Sequence, residues 1–274
     1  MISRFPVEPR FWQDMNVFRA GTMDSPECAF EIFKLHYDAA NLQTLIGCSV
    51  LEIGPGNSGL TAVFARSFGA SRTWLIDNEP LASQEASLFR EAEQFLRKTG
   101  LQAANLDAVT SVDEALTSLN AFYLTAGLES LKKIPDAEVD FLFSNAVLEH
   151  VRLGEFADLI AETRRILKPT GKASHVIDFR DHLQHGLNSL RFPERVWESE
   201  FMARSGFYTN RIPFPDMERI FRGAGFSVEL PRVQCWPNGL PTKQSSMARS
   251  FRQMSADSLR VMGAHVLLRP RTQP

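Results

Sequence analysis

Three glycines stand at positions 54, 56 and 59 of the run VLEIGPGNSGL, residues 50–60. This Gly-x-Gly-x-x-Gly spacing lets a ligand approach the backbone closely, and the N-terminus of a following helix favours an anionic group. An acidic residue, Asp77, ends the next predicted strand, where it can accept hydrogen bonds from the hydroxyls of a ribose. The pattern therefore predicts a bound nucleotide, either NAD or another adenosine cofactor.

A second group of reactive side chains follows the predicted fourth and fifth strands. Four of the six histidines lie in this region, at positions 150, 175, 182 and 185. The other two, His36 and His265, are assigned to packing. Histidine is the commonest base for a hydroxyl, because its ordinary pKa of about 6.5 is close to working pH. Strand alternation puts His175 and Asp178 on opposite faces, so a metal site shared with His182 is not predicted.

The elements that must position these residues alternate along the chain. Seven short runs are candidate strands: SVLEI, TWLID, AFYLT, VDFLFS, SHVIDF, FSVEL and AHVLL. Helical spacing of apolar residues starts near Pro80 and ends before Gly100, and a second helix ends before Pro169 and Gly171. The sequence thus predicts an α/β fold, with a Rossmann-like, seven-stranded, mostly parallel sheet and helices on both faces.

Length and composition favour one elaborated domain, since 274 residues with 44% hydrophobic content can bury a sizeable core. Residues 1–47 are predicted to form an N-terminal helical cap and residues 48–274 the main domain. Helical substrate-side insertions are predicted at 180–212 and 237–260. The first insertion and the N-terminal cap are predicted to form a mobile cover over the acceptor. The aromatic residues of the first insertion would form either an acceptor-binding lid or the lid's own small core: Phe192, Trp197, Phe201, Phe207 and Tyr208.

The charge and the hydropathy of the sequence indicate which classes of binding partner are not expected. The net charge is -2, from 30 Lys and Arg against 32 Asp and Glu, and like charges form no long run, so nucleic acid is not expected. No segment approaches the roughly 20 apolar residues that span a bilayer, which predicts a cytoplasmic protein with no membrane partner. The separated cysteines Cys28, Cys48 and Cys235 are expected to be ordinary buried thiols.

Three motifs, in order, resemble those of the class I S-adenosylmethionine-dependent methyltransferases, in particular small-molecule members of the methyltransferase type 11 kind. LEIGPGNSG resembles their acidic-x-Gly-x-Gly motif, with Glu52 two residues before Gly54. VDFLFSNAVLEHV, residues 139–151, resembles the fourth motif, and RRILKPTGKASHVIDF resembles the helix, turn and fifth strand that follow. The resemblance runs from about Val50 to Phe179 and recurs more weakly at IFRGAGFSVEL. It implies S-adenosylmethionine as the cofactor.

The resemblance also implies individual cofactor contacts. Gly54, Gly56 and Asn57 would lie against the amino acid end and ribose, Glu52 would support the methionyl ammonium, and Asp77 would hold the ribose hydroxyls. The full set implied for the cofactor is Glu52, Gly54, Gly56, Asn57, Gly59, Asp77, Asn78, Gly127, Leu128, Ser144 and Asn145.

One position departs from the family pattern. Gly127 stands where the family commonly has an Asp that receives the adenine amino group. Adenine recognition would then fall to the Leu128 amide, to Glu129 or Ser130, or to stacking alone.

In several similar small-molecule enzymes a Glu-His pair after the fourth strand faces the acceptor, which singles out Glu149 and His150 here. His150 is the expected base, with His182 and Asp178 as further catalytic candidates. The alternative is that Glu149 caps or bridges helices beside a half-buried His150 imidazole.

The predicted activity is methyl transfer to a small molecule, at a hydroxyl of a sugar or natural-product intermediate. An N-methyltransferase of a small amine remains open, because a neutral amine needs no obligate base. A nicotinamide-dependent oxidoreductase and an inactive cofactor-binding partner protein are alternatives from other classes. The oligomeric state is open, with a homodimer as one option.

Overall fold

A computed structural model describes residues 24–271, which fold around a seven-stranded sheet. Its strands are β1 (Ser49–Ile53), β2 (Arg72–Ile76), β3 (Ala121–Leu124), β4 (Val139–Asn145), β5 (Leu167–Asp178), β6 (Phe226–Cys235) and β7 (Val261–Pro270). They lie in the order β3-β2-β1-β4-β5-β7-β6, and β7 runs antiparallel to both its neighbours. The predicted Rossmann-like, mostly parallel sheet is confirmed.

Helices connect the strands and cover both faces of the sheet. They are α1 (Pro26–Ala39), α2 (Thr61–Ser67), α3 (Ala86–Lys98), α4 (Val112–Ser118), α5 (Leu128–Leu131), α6 (Phe156–Ile166), α7 (Glu194–Trp197), α8 (Glu200–Ala203), α9 (Phe214–Gly223) and α10 (Arg249–Arg252). The helix predicted to start near Pro80 begins only at Ala86. The intervening loop is held on the glycine loop, because the Ser83 amide donates to the Asn57 carbonyl at 2.9 Å.

Each face of the sheet has its own apolar core. On one face, α1 to α3 bury phenylalanines in the core that contains Phe141 and Phe143 of β4, and α4 adds aliphatic side chains. On the other face, α6 and α9 pack on Leu142 and the neighbouring strands. Because side chains alternate along β4, consecutive residues of this strand enter different cores. This two-faced burial explains the almost continuous apolar run of β4.

Helix α1 belongs to the first of these cores. Ala29, Phe33 and His36 are fully buried, and the Phe33 ring meets Phe143 edge-on with centroids 6.2 Å apart. The described part of the predicted N-terminal cap is therefore packed on the sheet. The rest of that predicted cap, residues 1–23, lies outside the described residues.

The two predicted insertions pack on each other. Leu187 and Leu190 of the first join apolar residues of the second in a third, smaller core that also contains Met247, Phe251 and Leu259. The Ala248 amide donates to the Leu190 carbonyl at 2.8 Å. Contacts between residues far apart in sequence thus stabilise the region beside the carboxyl end of β5.

The aromatic residues of the first insertion divide into two groups. Trp197 is fully buried and its indole N–H donates to the Thr209 carbonyl at 2.7 Å, while Tyr208 is also buried. Phe192 and Phe201 are exposed. Trp197 and Tyr208 therefore form part of the segment's own core, the second of the two roles predicted for these aromatics.

Two further predictions concern the cysteines and the membrane. All three thiols are free, but Cys28 and Cys48 are half-buried and Cys235 is exposed, so the prediction of buried thiols is wrong. Cys235 is exposed because β6 is an edge strand whose second half is open to solvent. Within residues 24–271, the helices are all too short or too polar to cross a bilayer.

Candidate active site

The glycine loop joins β1 to α2. Gly54 and Gly56 have φ angles of 73° and 66°, in the left-handed region that favours glycine. A Cβ atom on Gly54 would overlap the side chain of Val147, whereas one on Gly56 would meet nothing within 4 Å. Gly56 therefore borders open space that a ligand can enter.

The third glycine, Gly59, has a packing role, which differs from the cofactor contact predicted for it. A Cβ atom on Gly59 would lie 3.2 Å from Leu75 and 3.3 Å from Phe89. Gly59 is buried and lets α3 pack closely on the sheet, so its predicted contact with the cofactor is corrected.

Asp77 lies at the end of β2, beside the glycine loop. Its carboxylate accepts hydrogen bonds from the Gly56 amide at 3.3 Å and the Asn78 amide at 2.8 Å. Burial raises the pKa of Asp77 to about 6, so the group is ionised at neutral pH. Asp77 and Asn78 line the cleft above the sheet, where a carboxylate can hold a ribose diol.

Glu52 and Asn57 present buried oxygens without partners. Glu52 is 1% exposed, and neither its Oε2 nor Oδ1 of Asn57 has a hydrogen-bond partner among residues 24–271. Burial raises the pKa of Glu52 to about 8. A buried carboxylate in this state fits a cationic group such as an ammonium, which would ionise it and satisfy its orphaned oxygen.

The cleft is a cavity of about 160 Å³ that runs from Gly54 and Asp77 to His150. Of the other predicted cofactor residues, Asn78, Gly127 and Leu128 line it. Sequence reasoning missed its remaining walls, which come from α5, the turn after β4 and α6: Leu131, Val147, Val151, Arg152, Glu155 and Leu159. Three of these six are apolar residues of the AVLEHV run and of α6: Val147, Val151 and Leu159.

The structure distinguishes among the three polar groups predicted to contact adenine, which are the Leu128 amide, Glu129 and Ser130. Ser130 is buried, and its hydroxyl accepts from the Ala126 amide at 2.9 Å. Glu129 is exposed and pairs with Lys132 at 2.7 Å. The Leu128 amide opens α5, where a helix has no carbonyl of its own to accept it, and Leu128 also lines the cleft. It is the best placed of the predicted polar contacts.

Two predicted cofactor residues lie outside the cleft. Ser144 is fully buried, with its hydroxyl 2.8 Å from Nδ1 of His175, and Asn145 ends β4 opposite Val176. The assignment of Ser144 to the cofactor is corrected, because the alternation of β4 turns its side chain into the core beneath the sheet. The assignment of Asn145 stays a prediction.

Three of the histidines lie inside the fold. His175 stacks on Phe221 with centroids 6.3 Å apart and does not face the crevice as predicted. On the opposite face, the Ser174 hydroxyl lies 2.8 Å from both His36 Nδ1 and His265 Nε2. Burial lowers the pKa of His36, His175 and His265, so all three are neutral at pH 7.

His150 and His182 form a pair at the mouth of the cleft. His150 ends the 3₁₀ turn Leu148–His150, and the two rings stack at 10° with centroids 5.0 Å apart. Their Nε2 atoms are 3.3 Å apart, while Nδ1 of His150 lies 3.0 Å from the Tyr208 carbonyl. Because a carbonyl only accepts, Nδ1 carries the hydrogen and Nε2 of His150 is an acceptor.

The pKa of His150 falls to about 4, chiefly because the protein atoms around the ring disfavour its charged form, and also because His182 is close. The ring nevertheless has an exposed side that is open to the cleft. The pKa of His182 is lowered as well, mainly by burial. Both imidazoles are therefore neutral at pH 7 and able to accept a proton.

Neighbouring backbone fixes this pair in place. Asn210 is buried, and its amide N–H groups donate to the Leu148 carbonyl at 2.8 Å and the Val151 carbonyl at 3.0 Å, on either side of His150. Asp181 is also buried and accepts from backbone amides of the loop that follows His182. The sequence analysis did not identify Asn210 as a positioning residue.

The two acidic residues near the histidine pair are both held by neighbouring groups, and the position of Glu149 is closer to the bridging alternative than to a role facing the acceptor. Glu149 is 3% exposed, and its Oε1 accepts from the Asp178 amide at 3.0 Å, so it bridges β5 and does not face an acceptor. The Asp178 carboxylate is held in a bidentate pair by Arg180, with contacts of 2.9 and 2.7 Å. Asp178 is therefore not available as a free base. No three His, Cys, Asp or Glu side chains within residues 24–271 are grouped to hold a metal.

Comparisons with known proteins agree with this geometry. Residues 51–174 match the family model of a methyltransferase domain, and no curated protein sequence matches significantly. The structure of PH0226 from Pyrococcus horikoshii is 14% identical over 97% of this chain and 100% of that chain, with a TM-score of 0.50. A S-adenosylmethionine-dependent methyltransferase from Methanosarcina mazei is 18% identical over 88% of this chain and 98% of that chain, also at 0.50. Both show the same fold.

The strand order and the glycine loop with its acidic residues define a Rossmann-like enzyme that binds an adenosine cofactor. The match of residues 51–174 to a methyltransferase domain supports a class I S-adenosylmethionine-dependent methyltransferase. Its cofactor is S-adenosylmethionine, which disfavours the nicotinamide and inactive-partner alternatives. Glu52, Asn57, Asp77 and the Leu128 amide are the groups that would hold it.

Cofactor affinity should depend on pH through Glu52. An ammonium favours the ionised carboxylate, so binding must remove the proton that Glu52 carries below its pKa of about 8. We expect the affinity for S-adenosylhomocysteine to fall on the order of tenfold per unit as pH decreases from 8 to 6. Titration calorimetry should show proton release, and Glu52→Gln should abolish both effects. An unchanged pH dependence in Glu52→Gln would remove Glu52 from the site.

Proposed function

We propose that this enzyme methylates a hydroxyl oxygen of a small molecule, with His150 as the base and His182 as its partner. The observation that carries the proposal is the imidazole pair at the mouth of the cofactor cleft, with its Nε2 atoms 3.3 Å apart. The Tyr208 carbonyl fixes the His150 tautomer in which Nε2 can accept a proton.

Bound S-adenosylmethionine supplies an activated methyl group. The residues of the chain must then align the acceptor and take up the proton that a hydroxyl loses on methylation. In the proposed reaction the acceptor hydroxyl donates to Nε2 of His150 in place of His182. The proton moves to that nitrogen as the oxygen is alkylated, and the Tyr208 carbonyl stabilises the imidazolium through Nδ1–H.

The lowered pKa of His150 supports a mechanism in which its imidazole is protonated only briefly during the reaction. An imidazole with a pKa of about 4 is almost wholly neutral at pH 7, so every enzyme molecule carries the base form. The same low basicity means that the proton leaves easily after the reaction, with His182 beside it as the next acceptor.

The surroundings of the pair favour a small acceptor. Arg152 donates to Glu200 Oε1 at 2.9 Å, and Tyr208 donates to Glu198 at 2.8 Å, so α8 and the loop before it are tied across the turn that carries His150. A sugar or natural-product intermediate with a free hydroxyl is the acceptor class we propose. A neutral amine would not need the fixed imidazole pair.

Product analysis tests the proposal. The enzyme is incubated with S-adenosylmethionine that carries a ¹³C-labelled methyl group and with a panel of hydroxyl- and amine-bearing small molecules. The ¹³C spectrum distinguishes methyl groups on oxygen from those on nitrogen. We expect labelled O-methyl product, and transfer to amines alone would refute the hydroxyl assignment.

A further inference from the structure

A second cavity, of about 320 Å³, lies where β5, β7 and β6 meet at the edge of the sheet. Leu35 of α1 forms one wall, and Ala146, directly after β4, forms another. The next residue, Val147, lines the cofactor cleft. The two cavities therefore lie on either side of the turn that follows β4, next to the carboxyl ends of the central strands where α/β folds bind their ligands.

Strand register explains how the cavity is formed. Arg232 of β6 pairs with His265 of β7, which pairs with Val176 of β5, so these three side chains share a face. Two residues along, Gly263 pairs with Gln234 on one side and Asp178 on the other. Gly263 has no side chain, and the end of the Gln234 side chain lies over it, 3.3 Å from where a Cβ atom would stand.

The charged groups around this space do not cancel. Arg180 neutralises Asp178 through their bidentate pair, and burial keeps the pKa of His265 below its ordinary value. Arg232 remains. When the Gln234 amide is turned so that its oxygen faces Arg232, that oxygen accepts from Nη2 at 2.7 Å and from Nε at 3.2 Å. No carboxylate within residues 24–271 pairs with Arg232. The cavity thus carries one uncompensated positive charge.

We propose that this cavity binds the acceptor, and that the acceptor is an anionic, hydroxyl-bearing small molecule whose carboxylate or phosphate is held by Arg232. This inference rests on the proposed hydroxyl methylation and names the substrate class of that site. The planar fork of a guanidinium matches both anions. The Asp178 carboxylate, which lines the same cavity from β5 on the far side of β7, accepts hydrogen bonds from the hydroxyl groups.

The position of the cavity fits delivery of a hydroxyl to the base. Asp178 lines the cavity and also acts electrostatically on both His150 and His182. Ala146, between the cavities, has a φ of 53° and is anchored by its amide to the Val176 carbonyl at 2.9 Å. An acceptor anchored at Arg232 can thus extend past Asp178 towards the imidazole pair.

Binding of defined probes to the full chain, saturated with S-adenosylhomocysteine, tests the inference without turnover. The probes are glucuronate, glucose 6-phosphate and neutral glucose, measured by titration calorimetry. We expect at least one anionic probe to bind about 10-fold or more tightly than glucose. Arg232→Gln should remove that preference, while Arg269→Gln should retain it, because Arg269 carries the same charge on β7 but pairs with Glu229 outside the cavity.

The two anions distinguish a carboxylate site from a phosphate site. Equal binding of all three probes, or equal losses in Arg232→Gln and Arg269→Gln, would overturn the inference. If Arg232-dependent binding is found but labelled methyl appears only on nitrogen, the cavity assignment stands and the hydroxyl proposal fails. If O-methylation proceeds with no Arg232-dependent binding, the hydroxyl proposal stands and the anionic acceptor is wrong.

Discussion

Replacing His150 with alanine should lower kcat by about 10²–10⁴-fold and leave the affinity for S-adenosylhomocysteine nearly unchanged. The variant removes the nitrogen that accepts the hydroxyl proton, and the carboxylates and amides that hold the cofactor lie on other elements. Initial rates with the O-methylated acceptor and calorimetry with S-adenosylhomocysteine measure the two quantities separately. His182→Ala should have a smaller effect, since His182 acts through His150.

His185→Asn is the matched control. His185 is exposed and lies three residues beyond His182, with a φ of 53° that asparagine tolerates. Its replacement should leave kcat near that of the unmodified enzyme. Equal losses in the His150 and His185 variants would mean that the imidazole pair has no special role, and the base would have to be sought elsewhere.

The pH profile gives an independent readout of the same base. A base with a pKa of about 4 is active when unprotonated, so kcat/KM should be insensitive to this group between pH 6 and 8 and should decrease only as pH approaches about 4. His150→Ala should lack this acidic limb. An unchanged limb in the variant would assign it to another group or to the acceptor.

Local patterns in the sequence predicted the fold well, and they indicated where the glycine turn and Asp77 would lie. The glycines of the β1 turn and the acidic residue ending β2 are fixed by short-range geometry, because a parallel strand followed by a tight turn puts them at one edge of the sheet. Gly56 and Asp77 meet there through a hydrogen bond of 3.3 Å. The alternation of strands and helices was sufficient for the sheet itself.

The errors arose where tertiary packing chooses between faces. Glu149 and His150 are adjacent in one short 3₁₀ turn, and the sequence did not show that Asn210, some 60 residues later, would bind this turn and leave Glu149 inside. His265 was assigned to packing, which agrees with its burial. Only the register of β6 against β7 reveals that it lies beside Arg232 in a cavity.

The segment over the imidazole pair also depends on one buried side chain, and Trp197→Ala should lower the free energy of unfolding by about 3–5 kcal/mol. Trp197 is fully buried, donates to the Thr209 carbonyl, and lies under the Arg211 guanidinium, 5.2 Å from the ring centroid. Truncation would leave a cavity and an unpaired carbonyl. Chemical denaturation followed by circular dichroism measures the loss.

Phe201→Ala is the control for this variant, because Phe201 lies four residues further on but is 48% exposed. Its replacement should change stability by less than about 0.5 kcal/mol. If residues 180–212 were only a mobile cover, the two aromatic variants would have similarly small effects. Since Thr209 adjoins the carbonyl that fixes His150, Trp197→Ala should also lower kcat at temperatures where the enzyme remains folded. Loss of stability with unchanged kcat would show that the position of the Tyr208 carbonyl does not depend on this anchor.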